Sequence, residues 1–125
     1  MKDLKSKISV VTSIGAAAIT STVNGDTVDL QGFNSAAISL LPGTITDGTH
    51  TPKIQESDDD SAWTDVAASD LLGSLAVLAT DTNQMVGYKG TKRYIRAVST
   101  VAGASTGGVY SAIVIRGNPS LAPVA

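Results

Sequence analysis

The single histidine, His50, is the first residue to test for nucleophilic or acid–base chemistry. A Ser-His-Asp system needs an imidazole oriented by a carboxylate on one side and set against a hydroxyl on the other. His50 stands in Asp47-Gly48-Thr49-His50-Thr51-Pro52, a polar turn leading into an extended segment, and reads as a solvated loop histidine. Asp58-Asp59-Asp60 offers carboxylates to a cation. Calcium takes six to eight oxygens from several directions, and three consecutive aspartates converge only if the loop curls around the ion. The run reads as a charged turn that also guards a strand edge. Glu56 and Asp65 could be paired as acid and base, but a glycosidase sets its two carboxyls across a cleft. Few aromatics are present to line such a cleft. Residues 103–108 are rich in Gly, Ser and Thr, yet they lack the Gly-Lys-Ser/Thr ending of a phosphate-binding loop. No catalytic residue, metal ligand or cofactor site is assigned.

Two features point to binding. Trp63, the only tryptophan, follows the acidic turn. Exposed, it would stack on a sugar ring; buried, it would bring a large apolar area to a core, which is the reading preferred here. Lys89, Lys92, Arg93 and Arg96 form a local basic cluster beside Tyr88 and Tyr94. Basic residues interleaved with aromatics can mark nucleic-acid binding. The chain as a whole carries a net charge of −2, so no phosphate-tracking face is expected. The cluster is read as a contact to a protein partner, with pairing to Glu56 or to the acidic turn as its alternative.

The elements that must position these residues are β-strands. Turn residues recur at short intervals: Asn24-Gly25-Asp26, Pro42-Gly43, Asp47-Gly48, Asp58-Asp59-Asp60, Gly107-Gly108 and Gly117-Asn118-Pro119. Runs rich in Val, Ile and Thr lie between them, the pattern of a sandwich or barrel. The expected strands are 27–30, 35–41, 53–57, 75–79, 85–88, 93–101 and 110–116. One helical turn is allowed within 65–72. Asn24-Gly25 is expected to form a tight turn through positive φ. Strands 93–101 and 110–116 are apolar on both faces, so each needs a cover on both sides. Residues 1–22 are an N-terminal arm or first strand, and 118–125 an extended tail that carries Leu121 and Val124. The fold class is therefore all-β: one antiparallel β-sandwich over 1–125, jelly-roll-like or immunoglobulin-like, with extended N- and C-terminal arms.

Length and composition agree with a single packed domain. A chain of 125 residues builds one real core without a metal or disulfide, and it contains no cysteine. Charged residues make up only 16%, against about 25% in ordinary globular domains. Much of the surface must then be Ser, Thr, Gly and Ala. The N-terminus has the outline of a signal peptide, with Lys2, Lys5 and Lys7 before an apolar run. Asp3 interrupts the basic part and Ser9, Thr12 and Ser13 dilute the apolar part, so retention is expected. The run is also too short and polar for a membrane span.

Several stretches, taken in order, carry a resemblance. They are Val28-Asp29-Leu30-Gln31-Gly32-Phe33-Asn34-Ser35-Ala36, then Gly48-Thr49-His50-Thr51-Pro52-Lys53-Ile54-Gln55-Glu56-Ser57-Asp58-Asp59, and then Trp63-Thr64-Asp65-Val66. Gly90-Thr91-Lys92-Arg93-Tyr94-Ile95-Arg96-Ala97 and Val114-Ile115-Arg116-Gly117-Asn118-Pro119 complete the set. Together they resemble small tailed-phage capsid decoration (cement) proteins. None is a chemical motif; the order of the pieces carries the likeness. The resemblance implies a β-sandwich on the outside of a phage head, bound to the major capsid protein and made in the host cytoplasm. It implies a homo-oligomer and brings no enzyme activity, nucleic-acid partner or membrane. Candidate partner contacts are Lys89, Lys92, Arg93, Arg96, Leu121 and Val124. Tail or connector placement, a carbohydrate-binding module and, more remotely, a hydrolase are the alternatives.

Overall fold

The computed structural model describes residues 3–119. Ten strands follow one another: β1 (Ile8–Ile19), β2 (Val23–Asn24), β3 (Val28–Asp29), β4 (Phe33–Ile45), β5 (Thr49–Ser57), β6 (Thr64–Asp65), β7 (Leu71–Leu72), β8 (Gln84–Tyr88), β9 (Tyr94–Ala102) and β10 (Gly108–Pro119). They form two antiparallel sheets, β1-β10-β4-β8-β7 and β2-β9-β5-β6, with β3 also paired to β9. The pairings are nested. β1 takes β10, β2 and β3 take β9, β4 takes β8, and β5 takes β6. The chain is thus a long hairpin rolled up so that its nested strand pairs alternate between the two sheets, which is the wrapping of a jelly roll rather than an immunoglobulin-type sandwich.

The core lies between the sheets and follows the period-2 pattern of the strands. In β4, Ala36, Ile38 and Leu40 point inward; in β10, Tyr110, Ala112 and Val114 do; in β9, Ile95 and Ala97 do. Burying each Ile, Leu or Val contributes about 1.5–3 kcal/mol. One end of the sandwich is closed by Arg116. Its guanidinium lies 4.5 Å over the Phe33 ring and donates to the Asp29 carbonyl (3.0 Å) and Ser9 Oγ (2.8 Å).

Several expected boundaries shift. Residues 75–79 are not a strand, although Leu78 is buried. Their backbone is held instead by the Gln84 side chain, whose amide brackets Ala76 N (2.7 Å) and O (3.1 Å), and by Leu78 N on the His50 carbonyl. The helical turn in 65–72 is a 3-10 turn, Ala68–Asp70. The N-terminal segment contains a true strand, β1, at the sheet edge. β4 runs straight through Pro42-Gly43, and β5 begins before Pro52. Both prolines are tolerated for one reason. β8 flanks β4 only from Ala36 to Leu40, and β6 flanks β5 only at Gln55 and Glu56. Beyond those pairs the strand is locally an edge, where a missing N–H costs no ladder bond. β10 likewise continues past Arg116 to Pro119, opposite Phe33, so Asn118 and Pro119 belong to a strand rather than to the tail. Leu121 and Val124 lie outside the described residues.

Asn24-Gly25 also works differently from expectation. Gly25 is not among the residues with positive φ, and Asn24 belongs to β2. Glycine is needed because a Cβ there would collide with the Ser13 hydroxyl and the Ala97 carbonyl. Those atoms come close because Gly25 N donates to Ala97 O (2.7 Å) and Asp26 N to Ser13 O (2.6 Å). This stitch joins β1 to the opposite sheet.

Candidate functional site

His50 is the largest departure from the sequence reading. It is wholly buried rather than solvated, because it alternates inward with Pro52 and Ile54 along β5. Its Nε2 lies 3.0 Å from the Asp47 carbonyl and its Nδ1 3.0 Å from the Tyr110 hydroxyl, which lies 2.8 Å from Ser99 Oγ. A carbonyl only accepts, so in the neutral ring the proton sits on Nε2 and Nδ1 accepts from Tyr110. His50 and Ser99 are fully buried and Tyr110 is 1% exposed. Burial pushes the Tyr110 phenol above its ordinary pKa. The histidine therefore belongs to a sealed polar relay inside the core, with no path for a substrate to either ring nitrogen.

Asp47 ties this relay to the neighbouring turn. Its carboxylate accepts from Gly107 N (2.6 Å), Thr106 N (3.2 Å) and the Ser105 hydroxyl (2.9 Å). These donors hold its pKa down to about 2. Gly107 has φ 81°, and a Cβ there would strike the Ile19 carbonyl. The Gly-rich stretch is thus a receptor for Asp47 rather than for a phosphate.

The aspartate run diverges. Asp58 pairs with Lys92 at 2.7 Å. Asp59 Oδ1 accepts from Ser61 N, Ala62 N and Ser57 Oγ, each at 3.0 Å, and Asp60 accepts from the Thr27 hydroxyl at 2.6 Å. Backbone donors from Ala62 and Ser61 lower the Asp59 pKa, and Asp60 makes the turn with φ 61°. The three carboxylates point to three partners. Glu56 and Asp65 do not face each other either. Glu56 accepts from the Tyr88 hydroxyl at 2.7 Å, while Asp65 meets Lys53 and Gln55. Burial, with the Glu56 carboxylate beside it, raises the Tyr88 pKa.

Of the basic cluster, Lys92 meets the acidic turn, the intramolecular alternative considered above. Arg93 clamps Asp29 through two bonds of 3.0 and 2.9 Å and lies 5.0 Å from the Tyr94 ring centroid. The Asp29 carboxyl is held below its usual range by Arg93. Arg96 reaches the Gln55 side-chain oxygen (3.0 and 2.8 Å) and lies 4.4 Å over Trp63. Lys89 is exposed, and its backbone N donates to Asp70 O. Lys92 and Arg93 line a cleft of about 370 Å³ with Phe33, Asn34 and Tyr88. Trp63 is half-buried on the outer face of β9 rather than in the core, with one ring face taken by Arg96. Both ion pairs are exposed, so water and salt screen them and neither is a strong anchor of the fold. Among the described residues no group of three or more His, Cys, Asp or Glu is placed to hold a metal ion, and no helix is long and apolar enough to cross a membrane.

What the sequence reading missed is a contrast between the two outer faces. Strand parity puts Asp29, Lys53, Asp65 and Arg96 on the outer side of β2-β9-β5-β6. On the other sheet the outward positions include Val10 and Thr12 of β1, Ile113 and Ile115 of β10, Ala37, Ser39 and Leu41 of β4, Met85 and Gly87 of β8, and Leu72 of β7. None is charged. The signal was present in the sequence as the second apolar face of 110–116, whose outward residues are only partly covered.

No protein-family model matches the chain, and no curated protein does. A solved structure described as "Structure of infectious bursal disease virus Gx strain" overlays on 94% of this chain at a TM-score of 0.45 and 15% identity. This chain spans 35% of that one.

Proposed function

We propose that this chain is a non-enzymatic virion structural protein that binds the outside of a phage capsid and stabilises it. The observation that carries the reading is where the reactive side chains are spent. His50 is sealed between Asp47, Tyr110 and Ser99, and the aspartates of 58–60 are used one by one on a lysine, a turn and a threonine. What the molecule offers outward is a rigid sandwich with a weakly charged surface, a form suited to packing against other proteins. The resemblance to cement proteins supplies the partner, the major capsid protein. Repetition on a symmetric shell lets a modest single contact hold firmly through avidity.

In this reading Lys89 and the cleft beside Lys92 and Arg93 contact the shell together with Leu121 and Val124. The test mixes purified protein with shells that lack it, then measures co-sedimentation and the temperature at which the shells break. Binding with a raised disruption temperature is expected. Protein that stays in the supernatant and leaves the shells unchanged refutes the proposal.

A further inference from the structure

We infer that the uncharged outer face of the β1-β10-β4-β8-β7 sheet is a self-association surface, occupied by the same face of a second copy of this chain. Val10, Leu72, Met85 and Val109, four of the large apolar side chains that stand most exposed, all lie on that sheet's strands; Met85 is 64% exposed and Leu72 61%. Ile113 and Ile115 lie between them. Small residues, Ala37, Ser39 and Gly87, alternate with these larger ones across the register. The result is a relief of ridges and hollows that a twisted sheet can interleave with another at about 10 Å spacing.

A second copy fits this face better than a charged partner does. A two-fold interface places a patch against itself, so any fixed charge near its centre meets its own like charge. This face carries none, whereas the outer face of the opposite sheet holds Asp29, Lys53, Asp65 and Arg96. Homodimer interfaces are more apolar than ordinary surface, and their centres are depleted of charge. The size fits a weak, reversible dimer. Three long strands about 4.8 Å apart over about 25 Å, with the shorter β8 and β7 beside them, give on the order of 450–500 Å² per copy. Two copies would together bury about 900–1,000 Å², the range of weak, reversible interfaces. The inference does not depend on whether the chain sits on a virion.

The test is sedimentation equilibrium of the full chain and of three variants, with thermal melts of each. Met85→Asp and Thr12→Asp place a charge on the uncharged face at exposed positions. Thr100→Asp places one on the exposed outer side of β9. The expected result is a dimeric wild-type chain, with association weakened about tenfold or more by Met85→Asp or Thr12→Asp. Thr100→Asp should remain dimeric, and all melting temperatures should be close to wild type. A monomeric wild-type chain overturns the inference. So does a wild-type dimer that survives in both face variants, or one broken only by Thr100→Asp. If one face variant fails to fold, the other decides.

Discussion

Removing one oxygen atom from the core, in Tyr110→Phe, should cost far more than its size suggests. The hydroxyl stands 3.0 Å from His50 Nδ1 and 2.8 Å from Ser99 Oγ, with all three residues at 0–1% exposure. Phenylalanine keeps the ring and its packing, including the edge-on contact with His50 at 5.2 Å. It leaves an imidazole nitrogen and a hydroxyl each short of a partner where water does not reach. An orphaned buried polar group costs about 1–3 kcal/mol, so the pair should lose about 2–6 kcal/mol. For 125 residues the entropy of unfolding is about 0.26 kcal/mol/K, which makes the fall in Tm about 8–23 °C. Calorimetry at neutral pH measures it. Adding Ser99→Ala should then cost little, because it removes one of the orphans, and the double-mutant cycle should show the two positions coupled. A fall in Tm below about 3 °C, roughly 1 kcal/mol, would refute the sealed relay.

Other outcomes follow from the same contacts. The Asp47 pKa is depressed to about 2 in the folded chain and is ordinary when unfolded. Its contribution is therefore complete above about pH 4 and is lost as pH falls toward 2; Asp47→Asn should flatten that part of a Tm-versus-pH curve. Gly25→Ala should destabilise by several kcal/mol, through the clash with Ser13 and Ala97, read as a lowered urea midpoint. Arg96→Ala should uncover one face of Trp63, increasing quenching of its fluorescence by iodide, at a stability cost of about 0.5–1 kcal/mol. Deleting residues 121–125 should leave Tm nearly unchanged and weaken shell binding; unfolding of the truncated chain would assign the tail to its own core.

The all-β sandwich was legible because period-2 apolar runs between turn residues have few other solutions. Alternation grouped Tyr110, Ala112 and Val114 on one side of their strand, and Ile95 and Ala97 on one side of theirs. Three readings failed because they depend on what lies beside a strand. Pro42 and Pro52 look like breaks until β8 and β6 are seen to end short of them. His50 looks solvated in its polar turn, but its burial depends on Tyr110, sixty residues away, supplying a hydroxyl. Residues 75–79 have strand composition, yet the Gln84 amide takes the place of a ladder partner. The basic cluster was legible as a cluster, and pairing with the acidic turn was the alternative to the partner contact preferred for it. Its division among Asp29, Asp58 and Trp63 required the fold. The uncharged face was readable only in part, since parity shows two apolar sides but not which of them a core will cover.

The proposed role of the chain is to pack on a phage shell. Electron cryo-microscopy of virions purified from a culture that makes the chain tests it most directly. The expected result is a jelly-roll density outside the capsid, repeated in register with the lattice and contacting the major capsid protein. Virions that lack the chain, or that carry it only at the tail or connector, would contradict it.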